Sequence, residues 1–218
     1  MRIETYRGKL QDATKAEKYA TRFESGPRKR IDQREQRAVR QIFSELTDCR
    51  SVMDVPSGAG RFVAALGEQG RLVVEGDVAH EILVFSRNRS EKLNVRSRFV
   101  QADATHLPLI SGAVDCVFCN RLLHHILLAE QRAIFLRELH RVTRRYVVVS
   151  FFDYHAFGKV RRILKAIKGR KPPYQGQPTN EQFHQEVTRC GFRVRQVVAT
   201  GPLWVAQKYF VLEKAVVF

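Results

Sequence analysis

Residues Val52 to Phe62 read V-M-D-V-P-S-G-A-G-R-F. A short β-branched run leads into an aspartate, a tight Gly-x-Gly turn follows, and a helical pattern comes next. That order is strand, close-approach loop and helix N-terminus, the arrangement in which an α/β sheet holds an adenosine-type ligand. Gly58 and Gly60 accept backbone angles that other residues resist, and they leave no side chain between loop and ligand. Asp54 lies on the strand itself, an odd place for a carboxylate unless something cationic sits above the strand end. A dinucleotide-binding loop wants a third glycine after G-x-G-x-x, and that position is Val63.

The rest of the chain alternates in the same way. Strand-like runs occur at 51–55, 71–75, 98–101, 114–120 and 146–151, and helical patterns at about 61–68, 79–88 and 129–142. Alternation of this kind predicts a parallel, doubly wound α/β sheet. Ahead of it, Y-A-T-R-F at 19–23 places two aromatics in a basic setting, S-G-P at 25–27 breaks the chain, and Val39, Ile42, Phe43 and Leu46 recur at helical spacing. After it come a basic amphipathic stretch, a helix capped by Thr179 or Asn180 and stopped by Gly191, and two strands at about 192–199 and 208–215.

A length of 218 residues with 44% hydrophobic composition suits one domain. Cys116 and Cys119 form a C-x-x-C inside A-V-D-C-V-F-C-N, which reads as two small core residues of a buried strand, so no metal site is predicted. There is no apolar run of membrane-spanning length and no signal-peptide core in M-R-I-E-T-Y-R-G-K-L. The expectation is a cytoplasmic chain, peripheral to a membrane surface at most. The net charge of +16 favours contact with phosphates, nucleic acid or anionic headgroups, or is a solvated, arginine-rich surface.

Four segments together resemble one family. D-V-P-S-G-A-G at 54–60 resembles the first motif of class I S-adenosylmethionine-dependent methyltransferases, (D/E)-x-G-x-G-x-G, with Pro56 in place of the first glycine. E-G-D-V-A at 75–79 is similar to the family's G-x-D-x-S segment and makes Asp77 the ribose ligand, with Glu75 the fallback if the strand ends earlier and a helix N-cap the bland alternative. F-V-Q-A-D-A-T-H-L-P-L at 99–109 resembles F-x-x-(G/A)-D-A-x-x-L-P-F, where the aspartate accepts from the adenine amino group and the next amide meets a ring nitrogen. V-D-C-V-F-C-N-R-L-L-H-H-I at 114–126 resembles F-D-x-V-x-x-x-x-x-L-H-H-I, which places Asn120 and Arg121 toward the sulfonium.

The resemblance covers roughly residues 30–216. It implies a Rossmann-like, seven-stranded, mostly parallel sheet with an antiparallel last strand and helices on both faces. Residues 1–47 become a helical cover, 48–153 the cofactor-binding core, 154–178 a basic lid and 179–218 the closing helix and strand pair. The implied cofactor is S-adenosyl-L-methionine, leaving S-adenosyl-L-homocysteine as product. Its implied contacts are Asp54, Pro56, Ser57, Gly58, Gly60, Asp77, Val78, Asp103, Ala104, Asn120 and Arg121.

Methyl transfer from a sulfonium is an in-line displacement that depends on alignment, and some oxygen nucleophiles also need a base. His125, His124 and His155 are the candidates, although in the family the position of His125 often packs against the cofactor instead. Arg121 suits an anionic acceptor group or, as plainly, an ion pair with a nearby carboxylate. The end of strand four reads N-R-L-L where adenine N-methylation uses an N-P-P-Y-like segment, and the cysteine context of pyrimidine methylation is absent. What remains is the broad group of small-molecule O- and N-methyltransferases; charge and lid together favour an anionic small-molecule or lipid- or glycan-linked acceptor, with O-methylation favoured. The alternatives are RNA modification and a non-catalytic cofactor-binding module. The basic stretch at 158–173 suits a membrane surface, RNA phosphates or an ordinary solvated lid helix.

Overall fold

The computed structural model of the protein describes residues 13–153, 177–202 and 205–215. Its helices are α1 (Ala13–Thr21), α2 (Gly26–Glu45), α3 (Val63–Gly67), α4 (His80–Lys92), α5 (Ala129–Val142) and α6 (Asn180–Arg189). Its strands are β1 (Ser51–Asp54), β2 (Leu72–Asp77), β3 (Ser97–Gln101), β4 (Val114–Cys119), β5 (Thr143–Phe152), β6 (Phe192–Ala199) and β7 (Gln207–Lys214). The seven strands form one sheet in the order β3-β2-β1-β4-β5-β7-β6. Neighbours among β1 to β5 are parallel, and β7 runs antiparallel to both β5 and β6. The predicted Rossmann-like topology with an antiparallel last strand is therefore what the chain adopts.

The chain order reverses at β1, which sits between β2 and β4. In an open parallel sheet, a crevice forms beyond the carboxyl ends of the strands at such a switch point. The central strands are apolar on both sides because helices cover both faces. Val52, Cys116, Phe118 and Tyr209 pack under α2 and α3, while Met53, Val117, Cys119 and Phe210 pack under α5 and α6. Cys116 and Cys119 thus point to opposite faces of β4, an arrangement in which they cannot share a metal ion.

Several boundaries differ from the sequence expectation; β5 begins three residues earlier, at Thr143, and α4 continues to Lys92. The helix after the glycine loop begins at Val63 instead of Arg61, because Gly60 and Arg61 remain in the loop. β2 runs two residues further, to Asp77, which puts Glu75 inside the strand. α2 starts at Gly26, so Pro27 lies in its first turn, where a missing N–H is harmless. Thr179 is the cap of α6, and its hydroxyl and the Gln182 side chain bond each other's backbone amides in a capping box.

One buried cation fixes the cover helix to the sheet. The Arg71 guanidinium donates to the carbonyls of Phe43 in α2 (2.5 Å), Cys49 before β1 (3.1 Å) and Glu68 (2.9 Å). Arg71→Leu would fill similar space but leave these buried carbonyls unpaired. We expect it to lower unfolding free energy by about 2–4 kcal/mol in urea titration, and a change within error would show that the carbonyls find other donors.

Candidate active site

The glycine loop grows directly from β1. The Val55 amide donates to Phe118 O (3.0 Å) on one side, and the Ser57 amide donates to Gly76 O (2.8 Å) on the other. Gly58 and Gly60 both take positive φ, at 55° and 67°. A Cβ on Gly60 would lie 2.6 Å from Ser86 Oγ and 2.9 Å from Glu75 Oε2, so the close approach of α4 demands glycine there. A Cβ on Gly58 would meet only Tyr19, at 3.4 Å.

Asp77 ends β2 beside this loop. Its Oδ2 accepts from the Gly58 amide (3.0 Å) and its Oδ1 from the Ala79 amide (3.1 Å). Glu75, the fallback from sequence, faces the interior instead and accepts from the hydroxyls of Ser86 and Ser90. The strand-end position therefore belongs to Asp77; it accepts from the Ala79 amide, but Ala79 is itself the N-cap of α4, so Asp77 is not the helix cap of the bland alternative.

Above the loop lies a cavity of about 380 Å³. Pro56, Ser57, Gly58, Asp77 and Val78 form its sheet side, and Asn120, Arg121, His124 and His125 form the wall beyond β4. Its roof comes from the α1–α2 region: Tyr19, Arg22, Phe23, Arg28 and Ile31. Asp54, Gly60, Asp103 and Ala104 are not part of the lining. Asp54 lies beneath the loop, and Asp103 sits past β3, where its Oδ1 accepts from the Thr105 amide (2.9 Å) and hydroxyl (2.8 Å). His155 and nearly all of the basic lid lie outside the described residues.

Glu35 of α2 is fully buried and joins roof to walls. One of its oxygens takes Arg61 Nη2 at 2.5 Å, and the other takes Nε (2.9 Å) and Nη2 (2.6 Å) of Arg121. Asp32 takes the other Arg61 nitrogen at 2.5 Å. The Phe23 ring lies 4.2 Å from the Arg61 guanidinium and 5.6 Å from that of Arg121. Arg121 adopts φ 58°, with its amide donating to Ser150 Oγ at 2.6 Å. It thus pairs with a carboxylate, as one reading of the sequence had it, and still faces the cavity. Asn120 Oδ1 accepts from Tyr209 (3.1 Å) and Gln207 (3.3 Å), which fixes that side chain.

Sequence reading missed Glu35 and Arg61. The only signal was the aromatic and basic run at 19–23, now seen as part of the roof. His124 is buried, its ring 4.0 Å from that of His125. Burial, then His125 and then Arg121 push its pKa down to about 3, which makes it a feeble base at neutral pH.

Residues 53–151 match the family model for a methyltransferase domain. The chain is 27% identical over 115 residues to the malonyl-[acyl-carrier protein] O-methyltransferase of Hamiltonella defensa, a stretch that is 53% of this chain and 42% of that protein. It is 34% identical over 70 residues to the demethylmenaquinone methyltransferase of Thermus thermophilus, covering 31% of this chain and 32% of that one. It spans less than half the length of both curated relatives. In fold it is similar to magnesium protoporphyrin IX methyltransferase from Synechocystis, solved with bound SAH, at TM-score 0.74 and 16% identity over 97% of this chain and 99% of that one. A SAM-dependent methyltransferase from Methanosarcina mazei gives TM-score 0.63 and 17% identity over 81% and 97%.

Residues 53–151 are thus a methyltransferase domain, set in the fold of the S-adenosylmethionine-dependent methyltransferases. For such a domain the state of Asp54 is informative. Both of its carboxylate oxygens are buried with no hydrogen-bond partner among the described residues. Burial, then the Glu75 charge across the β1–β2 pair, raise its pKa well above the usual value, against a smaller opposing effect of Arg61. Burial also raises Glu75 and Asp77. A buried carboxylate without a donor fits a ligand that brings a cation, and the cofactor's ammonium is one.

An acid whose pKa is raised by folding is protonated more readily in the folded state. It therefore withdraws stability as pH climbs from the unfolded carboxyl range, about 3.9, toward its folded value. Asp54→Asn removes this penalty. We expect the variant without cofactor to gain stability at pH 7–8 relative to wild type in thermal unfolding, and to bind S-adenosylhomocysteine more weakly in calorimetry. A variant that binds as tightly as wild type would remove Asp54 from the cofactor site.

Proposed function

We propose that this methyltransferase acts on oxygen of an anionic small molecule, free or carried on a lipid or glycan. The observation that carries the reading is the division of charge across the cavity, with Asp77 lining the sheet side above the buried Asp54 and Arg22, Arg28 and Arg121 lining the roof and the wall beyond β4. Bound S-adenosylmethionine supplies an electrophilic methyl carbon on sulfur. The chain's residues orient it: Asp54 beneath the ammonium, the Pro56–Gly60 loop along the methionine half, Asp77 at the ribose hydroxyls, and Asp103 with the Ala104 amide toward the adenine. Asn120, held by Tyr209 and Gln207, and Arg121 stand at the methyl end. Val78 packs beside the ribose, and His124 and His125 serve as wall, with His125 and His155 the remaining candidates for a base.

The curated relatives and the structural neighbour are named for malonyl-[acyl-carrier protein], demethylmenaquinone and magnesium protoporphyrin IX. These are small or carrier-bound acceptors, and they support the same class here. Single-stranded RNA recognition usually offers exposed aromatic platforms for stacking. The exposed large apolar side chains among the described residues are all aliphatic, Ile31, Val84, Leu93 and Ile110 among them. No described helix is long and apolar enough to cross a membrane.

The test is transfer of labelled methyl from S-adenosylmethionine into a lysate separated into lipid, polar small-molecule and glycan, RNA and protein fractions. Label is expected in the lipid or polar fraction, and label confined to RNA would overturn the acceptor class. Asp77→Asn is expected to weaken cofactor binding about tenfold or more, since a neutral amide accepts the ribose hydroxyls less strongly than a carboxylate. Unchanged affinity in that variant would displace Asp77 from the ribose.

A further inference from the structure

The roof of the cavity holds more cationic donors than the cofactor can use. Arg22 sits over two aromatic rings, its guanidinium carbon 3.5 Å from the Tyr19 centroid and 4.9 Å from that of Phe23. Its Nε is buried with no hydrogen-bond partner among the described residues. Arg28, exposed in the first turn of α2, lines the cavity and makes no ion pair among the described residues. Arg121 gives Nε and Nη2 to Glu35 and Gln207, and its Nη1 has no protein acceptor among the described residues. Arg61 differs, because both of its terminal nitrogens are occupied by Asp32 and Glu35.

The cofactor brings one carboxylate, which answers one guanidinium group, and a sulfonium, which adds positive charge beside the rest. We infer that the acceptor's nucleophile is an oxyanion, a carboxylate or a phosphate ester, held by Arg22, Arg28 and Arg121; this rests on the methyl-transfer reading above. The guanidinium fork matches both anions in geometry and charge.

The chemistry agrees with the electrostatics. A neutral hydroxyl must lose its proton to a base, and a cavity histidine that accepts it becomes a cation beside Arg121. His124 is poorly suited to that, since burial, His125 and Arg121 all oppose its protonation. An oxyanion carries no proton to remove. Its oxygen lone pair forms the O–C bond as the S–C bond breaks, and that bonding pair returns to sulfur as a neutral thioether. The acceptor loses one negative charge in the step, so the arginine wall holds substrate more strongly than product.

The experiment supplies wild-type protein with S-adenosylmethionine carrying a ¹³C methyl group and, as acceptor source, the lipid and polar fractions of the lysate, and reads the product by NMR. A methyl ester that releases methanol in alkali supports the proposal and assigns a carboxylate. A methyl carbon split by phosphorus supports it and assigns a phosphate. An ether, N-methyl or C-methyl product overturns it while leaving the methyltransferase reading intact, and no transfer by folded, cofactor-binding protein overturns both.

Arg22→Gln and Arg28→Gln give a second arm. Each is expected to raise KM for the acceptor about 10- to 100-fold, with the Kd for S-adenosylhomocysteine, read by calorimetry, within about twofold. An equal loss of S-adenosylhomocysteine affinity would assign these arginines to the cofactor and overturn the proposal. Without turnover, citrate and pyrophosphate should raise the Tm of S-adenosylhomocysteine-saturated wild type more than that of the double variant at equal ionic strength. Equal shifts would also overturn it.

Discussion

The buried carboxylate of Glu35 carries the site. Desolvating a lone carboxylate is prohibitive, and one guanidinium partner often only offsets that cost. Glu35 has two, one beside the glycine loop and one beyond β4, and both contacts are short. The three groups make sense only together. Removing Glu35 leaves two guanidinium groups facing each other, and removing either arginine leaves the acid under-compensated. The cluster therefore fixes the distance between the two walls of the cavity and holds α2 over them. The turn that brings Arg22 and Phe23 into the roof leads directly into α2, so it depends on the same contact.

This arrangement divides the crevice by sign. On the sheet side, Asp54, Glu75 and Asp77 crowd the ends of two adjacent strands, and burial raises all three pKa values. On the roof side the cations are either locked to Asp32 and Glu35 or open to the cavity. S-Adenosylmethionine is itself divided, with a cationic ammonium and sulfonium, a carboxylate, and hydroxyls that seek acceptors. Crowded buried acids, Asp54 among them without a donor, repel one another and become favourable once a cation arrives. Binding sites commonly hold such strain, and the hydrogen bonds and packing around them sustain it.

The sheet was legible because the strands read as apolar runs and three of them, β1, β2 and β3, have an aspartate where the strand stops or just beyond. Asp54, Asp77 and Asp103 stand at those stops, and their order along the chain follows from the parallel topology. Boundaries were less legible. Glu75 and Asp77 are two residues apart on one strand, so period alone puts both on the same side. What separates them is contact, since Ser86 and Ser90 of α4 claim Glu75 while the Gly58 amide claims Asp77. Glu35 was invisible for a related reason. Its partners lie 26 and 86 residues away, and in sequence it is one more acid on an amphipathic, arginine-rich helix. Arg121 could be singled out by its place after β4, but whether it paired or stood free depended on a helix from the other end of the chain.

The excess of 38 basic over 22 acidic side chains also looks different in three dimensions. Many of the acids are engaged within the molecule: Asp115 with Arg144, Glu138 with Arg141, Glu186 with Arg132, Glu213 with Arg145 and Arg193, and Asp153 with Lys208. On α2 the asymmetry is complete over its first three turns, where Asp32 and Glu35 turn inward while Lys29, Arg30 and Arg37 are exposed. Over these turns the helix thus presents Lys29, Arg30 and Arg37 outward and directs Asp32 and Glu35 to the arginines of the site. A field of that shape concentrates anions at the mouth of the crevice without selecting among them, and salt weakens it. In the proposed reading, selection falls to the arginines inside, where water is scarcer and each hydrogen bond discriminates more. Net charge alone could not separate membrane, RNA and small anion. The proposal of a small anion rests on the placement of that charge above a cavity lined by arginines as well.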